Sequence, residues 1–364
     1  DGLIGTVIPV KGKHVKRNVD FYELGFDAEW EIDLFGFTKH EIAALQAQSE
    51  AVQETLNGAW ITLSAEIARN YIQLRGLQFQ LETSLHLIEL DNESLKLTNE
   101  LSERGIINDS DLNHSLAQLN LLKAEIPSIQ ANITQTIYRL SVLLGKMPGE
   151  LENCLSLYGH LPEIPKEISI GIPSELLRRR PDIVKAEREV AAATEKEGSA
   201  IAALFPRFSL RGFLGDIATK PGSLFSPSSA TWLAGPQLLL PIFNSRLLEQ
   251  DVEYSKRATQ EALINYQKTV LEAIEESENT IVAFQQSEQK WLYLHEAQKN
   301  ESHSLDYAYE LYQKGSIDKF ELIKAQKALL STENLLMKNK IEQLNNYIAL
   351  YKALGGSWGC SQSL

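Results

Sequence analysis

Apolar positions along this chain follow two different periods, and the change of period marks its elements. From Phe21 to Phe35 the even positions carry Tyr22, Leu24, Phe26, Ala28, Trp30, Ile32 and Leu34, while the odd positions carry Glu23, Gly25, Asp27, Glu29, Glu31 and Asp33. Successive side chains of a strand point to opposite faces, whereas a helix would scatter these residues around its circumference, so the pattern predicts a strand over 21–35. One of its faces is apolar with aromatics near the ends, and the other is acidic. Two further strands are predicted before the second half of the chain. In Arg207–Gly215, Phe208, Leu210 and Leu214 alternate with Arg207, Ser209 and Arg211; in Thr231–Phe243, Trp232, Ala234, Leu238, Leu240 and Ile242 share a face. Asp216–Ala230 between them is rich in Gly, Pro and Ser and reads as an exposed hairpin loop. Pro236 and Pro241 argue against a regular central strand in the last segment.

Elsewhere the period is seven. Leu112, Leu119, Ile126, Ile133 and Leu140 recur down one stretch, and Leu322, Leu329, Leu336, Gln343 and Leu350 occupy the positions 210 residues later. Each run follows a basic-Gly turn, Arg104-Gly105 or Lys314-Gly315, and ends in Leu-Gly, at Leu144-Gly145 or Leu354-Gly355. The preceding arms keep the same spacing, through Trp60, Ile67, Leu74, Leu81, Ile88 and Leu95 in one. Leu263, Val270, Phe284, Trp291, Leu305 and Tyr312 share a seven-residue frame in the other. Heptads pack helices side by side through a seam, so the pattern predicts two antiparallel helical hairpins related by an internal two-fold repeat. The prolines avoid Phe37–Glu125 and the chain from Ile242 onward. A single helix over the 68 residues from Phe37 to Arg104 would extend about 100 Å, and so needs neighbours along its length.

The predicted organisation is a loop and strand over 1–36, a first hairpin over 37–145, and a connecting segment over 146–180 marked by Pro148, Pro162, Pro165 and Pro173. A helix over 181–206, a strand pair over 207–243, a second hairpin over 244–355 and a tail over 356–364 follow. The fold class is mainly α with membrane β. A strand with one apolar and one acidic face meets what a membrane barrel requires, with lipid outside and water in the lumen, although soluble sandwiches alternate too. Three strands cannot close a barrel, and an open sheet edge is not tolerated in lipid, so a barrel reading needs several chains.

Charge and composition narrow the function. A formal charge of −13 opposes binding to nucleic acid, which needs clustered cations. The only tight basic cluster, Arg178, Arg179 and Arg180, is read as a solvated bend ahead of a helix beginning at Pro181. No apolar run approaches the roughly 20 residues of a transmembrane helix. Cys154 and Cys360 lack a CxxC partner, and His14, His40, His86, His114, His160, His295 and His303 show neither an HExxH nor a metal spacing, so no enzyme and no cofactor is predicted. Trp60, Tyr71, Phe284 and Trp291 read as packing residues. Asp1–Asp20 is loop-like.

Several motifs carry a resemblance. Leu177-Arg178-Arg179-Arg180-Pro181-Asp182-Ile183 and Leu204-Phe205-Pro206-Arg207-Phe208-Ser209-Leu210 resemble the TolC-like outer-membrane factors of bacterial RND efflux systems, in their lipoprotein branch. Trp30-Glu31-Ile32-Asp33-Leu34-Phe35-Gly36, Leu240-Pro241-Ile242-Phe243 and Leu350-Tyr351-Lys352-Ala353-Leu354-Gly355-Gly356 do the same, in the family's order. The resemblance implies a homotrimer whose strands share one outer-membrane β-barrel, continued by a helical tunnel through the periplasm. A periplasmic adaptor (membrane fusion protein), an inner-membrane RND pump and outer-membrane lipid are its implied partners. It further implies that a lipidated Cys, a first helical segment and a first strand precede the point where this sequence begins.

In such a channel the helix tips constrict the tunnel. By position the resemblance makes Asp109, Asp111, Asp318, Glu321 and Lys324 gate candidates, with Lys324 standing where relatives commonly have Asp. The same acidic residues suit N-capping of the returning helices. Arg104, Gly105, Lys314 and Gly315 are adaptor-contact candidates and also ordinary helix ends. Glu23, Asp27, Glu29, Glu31 and Asp33 are candidates for the barrel lumen. The leading expectation is a passive exit duct for small toxic compounds. A type I protein-secretion duct and a soluble coiled-coil scaffold are the alternatives.

Overall fold

The computed structural model describes residues 20–106, 108–157, 159–164 and 179–356. The opening loop, His14, Pro165, Pro173, Leu177, Arg178, Cys360 and the end of the tail lie outside the described residues. The chain divides into two compact units. One comprises Asp1–Gln48 and Val190–Ala262, the other Ser49–Glu189 and Leu263–Leu364.

The first unit holds β1 (Tyr22–Ile32), β2 (Arg207–Ala218) and β3 (Ala230–Leu239), an antiparallel three-stranded sheet in the order β1-β2-β3. The register sets Phe26 opposite Leu214, Trp30 opposite Leu210 and Leu214 opposite Trp232. The even-numbered residues of all three strands therefore share one face. Most of it is exposed, with Phe26 at 86% and Trp232 at 76%, although Ala218 at the end of β2 is buried. On the other face Glu23, Asp27, Glu29 and Glu31 are joined by Arg211, whose guanidinium lies 2.9 Å from Glu29, and by the ring of Phe213. That ring fits because Gly25 and Gly215 are paired beneath it, and a Cβ on Gly25 would come within 2.8 Å of it.

The strand bounds differ from those predicted. β1 ends at Ile32 because the chain turns there: Leu34 N donates to the Ile32 carbonyl, and the Asp33 carboxylate accepts from Lys39 N at 2.8 Å. Phe35 leaves the alternation to stack on Phe205 with centroids 4.7 Å apart. β2 runs on to Ala218, because Ile217 N bonds the Ser229 carbonyl and Ser229 Oγ donates to Asp216 at 2.9 Å, which extends the ladder into the supposed loop. β3 stops short of Pro241. Pro236 is accommodated because β3 has a partner on one side only.

The helices are α1 (Phe37–Glu103), α2 (Asp109–Leu143), the short α3 (Glu152–Leu155), α4 (Pro181–Ala202), α5 (Ser245–Gln313) and α6 (Lys319–Ala353). α2 and α6 are each 35 residues long and begin and end 210 positions apart. Four glycines end helices with positive φ, Gly105 at 71°, Gly145 at 70°, Gly315 at 70° and Gly355 at 87°. Each is the left-handed residue of a Schellman cap, as where Gly105 N bonds the Ser102 carbonyl and Ile106 N the Leu101 carbonyl. A side chain with a Cβ would be strained at all four.

In the second unit α1 packs on α2 through Leu74, Ile137 and Leu140, with Ile67, Ile133, Leu151 and Leu155 against them. α1 also meets α6, where a Cβ added to Gly76 would collide with Ile341. α6 in turn packs on α5, with Phe284 against Tyr347 at 6.4 Å between ring centroids. Helix neighbours therefore run α2, α1, α6, α5. The start of the connecting segment is tied down by Arg75 and Gln78 of α1, which donate to the carbonyls of Leu157 at 2.6 Å and Leu155 at 2.8 Å.

One sequence reading is corrected here. Arg180 is not a solvated bend residue: it is 7% exposed, donates to the Ala353 carbonyl at 2.8 Å, and pairs with Asp182 and Glu276, each at 2.7 Å. Burial opposes charge on Asp182, but the Arg180 hydrogen bond and charge outweigh it and hold the carboxyl below its ordinary value. Burial likewise opposes charge on Arg180, and its two carboxylates raise its pKa in spite of it. α2 continues through Pro127, as its heptads require, and forgoes the amide hydrogen bond that position would donate.

Candidate gate and channel surfaces

The two helix tips are built alike. Asn108 is the N-cap of α2, its side chain accepting from Asp111 N at 3.0 Å, and Asp318 caps α6 by accepting from Glu321 N at 3.0 Å. These caps stand 210 positions apart, which assigns the capping role of the first tip to Asn108 and leaves Asp109 and Asp111 as exposed acids in the first turn, where the helix dipole favours them. Glu321 and Lys324 are brought together at 3.5 Å, on one exposed face of α6. Among the described residues, no hydrogen bond or ion pair joins the acids of the first tip to residues of the second. Among the turn residues, Gly105 and Gly315 supply the left-handed caps and Lys314 pairs with Glu310 at 3.6 Å. Arg104 is exposed.

The strongest charge contacts near the tips involve residues that sequence reading passed over. Lys319 of α6 pairs with Glu93 of α1, and Lys327 pairs with Asp91. The hydrogen bond that Lys319 donates to the Glu93 carboxylate raises the Lys319 pKa. Asp91 is 9% exposed, so its cation neighbour compensates a buried charge. These pairs fasten the second returning helix to the first outgoing one. Partners 226 and 236 residues apart share no local pattern, so only the packing of α1 on α6 could reveal them.

Of the lumen candidates, Glu23, Asp27, Glu29 and Glu31 occupy one face of β1, while Asp33 lies past the strand and anchors the start of α1. His40 pairs with Glu195 at 2.6 Å and His295 stacks on Trp291, which accounts for two of the histidines as packing residues.

A sheet with one largely apolar and mostly exposed face, interrupted only by Asp216 near one end, carried on a chain with two long helical hairpins, defines a membrane channel component. The sequence matches the family described as outer membrane efflux protein over residues 12–146 and 172–356. It is 31% identical over 345 residues to the probable efflux pump outer membrane protein TtgC of Pseudomonas putida, covering 92% of this chain and 69% of that protein. The solved structure of the outer-membrane channel OprN is similar at a TM-score of 0.86 and 33% identity, over 97% of this chain and 79% of that one. The outer membrane protein VceC of Vibrio cholerae shares the fold at a TM-score of 0.79 and 23% identity, over 95% and 84% of the two chains. The chain belongs to the outer membrane efflux protein family. It is an outer-membrane efflux channel of an RND-type tripartite system, which implies an adaptor and an inner-membrane pump as partners.

Proposed function

We propose that the protein acts as a homotrimer, a passive exit duct through which small toxic compounds delivered by an RND pump and its adaptor leave the cell. The observation that carries this reading is the sheet. Its apolar face is exposed on all three strands, and its outer strands β1 and β3 each pair on one side only. In lipid both edges must be paired, which identical neighbours can do. The even-numbered side chains then face lipid, and Glu23, Asp27, Glu29 and Glu31 face water. The division of the chain into strand segments and two repeated hairpins, descended from one duplicated unit, belongs to the same proposal.

Asp109, Asp111, Asp318, Glu321 and Lys324 stand near the periplasmic opening in this reading. Arg104, Gly105, Lys314 and Gly315 form the turns that an adaptor would grip. The Glu321 and Lys324 pair, held within one helix, tempers the charge that each tip contributes to a closed ring. Compound class is tested by a susceptibility panel comparing a deletion strain with the same strain carrying the gene. Restored resistance to small toxic compounds is expected. Resistance unchanged by the gene, combined with loss of a secreted protein on deletion, would favour a protein-secretion duct. Cysteine probes walked along β1 test the sheet, with lipid access expected at even positions and water access at odd ones.

A further inference from the structure

The contact order α2, α1, α6, α5 leaves α2 and α5 as the outer helices of the set. If identical copies close a ring, α5 of one copy must lie on α2 of the next, a head-to-tail interface. Because α1 and α5 occupy equivalent places in the repeat, as do α6 and α2, that interface is the counterpart of the α1·α6 seam seen inside one chain. Adding 210 to a position on α1 and subtracting 210 from its partner on α6 therefore names the pair that meets between copies.

The substitution has a definite result. Gly76 against Ile341 becomes Gln286 against Ala131, so the large and small partners exchange sides and their fit is kept. Asp91 with Lys327 becomes Glu301 with Ala117, which carries no ion pair. Glu93 with Lys319 becomes His303 with Asp109, an ion pair of reversed polarity whose cation titrates. Gln286, Ala131, His303 and Asp109 are all exposed in the single chain, as residues awaiting a partner copy must be.

From these counterparts we infer that His303 of one copy pairs with Asp109 of the next, so that the seams between copies are proton-dependent while the seams within each copy are held by lysines. The inference rests on the ring assembly proposed above. Charged and titratable groups within about a turn of the pair along their own helices are Lys299, Glu301, Asp306 and Tyr307 on α5 and Asp111 and His114 on α2; on α6, which packs against α5, Glu321 and Lys324 pair with each other and Lys327 is held by Asp91 of α1. Without an imidazolium at position 303, Asp109 meets no cation at its counterpart position, and Glu301 and Asp306 on α5 add like charge to that side of the seam. Protonating His303 turns repulsion into attraction. Since the histidine gains a carboxylate partner on closure, the contribution is present when the imidazole is charged and is lost as pH rises through its titration range.

Two measurements test this. Native mass spectrometry of the detergent-solubilised protein reads the ring itself, and oxidation of the double variants His303→Cys/Asp109→Cys and Glu301→Cys/Ala117→Cys reads its register. A covalently linked trimer is expected from both variants. An intact trimer without cross-links at either pair would overturn the seam while leaving the trimer standing; absence of a trimer would overturn the assembly itself. Single-channel recording then compares open probability near pH 5.5 and near pH 7.5, about the lower and upper sides of the imidazole range. Wild type should rise on the order of tenfold with pH, about twofold at each of three seams. His303→Gln should flatten that dependence, and His303→Lys, with a fixed cation, should stay closed at both pH values. A His303→Gln channel that keeps the wild-type dependence would overturn the inference.

Discussion

Where Leu74 of α1 meets Ile137 and Leu140 of α2, the positions 210 residues later are Phe284 of α5 and Tyr347 and Leu350 of α6, so the two hairpins place apolar groups at the same level. They part company on either side of it. Ile67, Leu77, Ile129 and Ile133 of the first hairpin correspond to Ser277, Ser287, Asn339 and Gln343 of the second. Ser287 is 3% and Asn339 1% exposed, and the side-chain amides of Asn339 and Gln343 both donate to the Ser287 carbonyl, at 3.2 and 3.1 Å. Asn339 Oδ1 has no partner in the fold.

The difference teaches how one backbone plan serves two purposes. An apolar seam gains from burial in nearly any alignment, whereas a buried amide is satisfied in one alignment and costs free energy in the rest. The first hairpin is therefore the more firmly packed, and the second the more closely specified in register. Arg180 strengthens that specification, because it ties the last turn of α6 to the start of α4 and to Glu276 of α5. The corresponding end of α2 has a looser counterpart, Arg139 paired with Glu66, the position 210 residues before Glu276, and both side chains are exposed.

The comparison can be broken most sharply at its apolar level. Leu74→Ala empties a site that is 0% exposed and should cost roughly 3 to 4 kcal/mol, read as a fall in the midpoint of chemical unfolding. An effect below that of a surface substitution would remove the claim that the first seam is the firmer. Arg180→Met comes next, at about 2 to 3 kcal/mol, reduced from the value for fully buried pairs because Asp182 and Glu276 are partly exposed. The same cluster predicts an acid limb. The Asp182 carboxyl is held below its unfolded value, so its contribution is complete above about pH 4 and lost as pH falls through the folded value, and Asp182→Asn should shrink that limb.

Exchanging the seams gives smaller effects. Ile129→Asn, which puts a polar amide into the apolar seam beside Leu77, should destabilise by about 2 kcal/mol, while Asn339→Ile should fall within about 1 kcal/mol of wild type. Equal losses from both would show that the polar notch is as well packed as its apolar counterpart. Smallest is Pro127→Ala, which restores an amide donor on the exposed side of α2 and should raise the free energy of unfolding by about 1 kcal/mol, read as a higher midpoint.

Much of this was legible in the sequence because it depends on period. The alternation from Tyr22 to Ile32 requires a strand whatever surrounds it, and the heptads with their Leu-Gly ends require capped helices. The four turn glycines adopt the left-handed conformation that their place after a helical run demands. Site residues were less legible. Asn108 emerged as the cap of α2 once the turn geometry was known, since Asn108, Asp109 and Asp111 are all chemically suited to the role. Asp33 matched the acidic face by parity, yet the chain had already left the strand.

Local side-chain preference and spacing thus determined the kinds of element, their order and the two-faced character of the sheet, since each depends on residues within a few turns or strand repeats of one another. Tertiary structure alone decided which helices became neighbours, and with them the Lys319 and Lys327 pairs, the burial of Arg180 and the polar notch at Ser287. Those contacts join residues far apart in the chain, where what one side chain can do is decided by whichever group the packing sets opposite it.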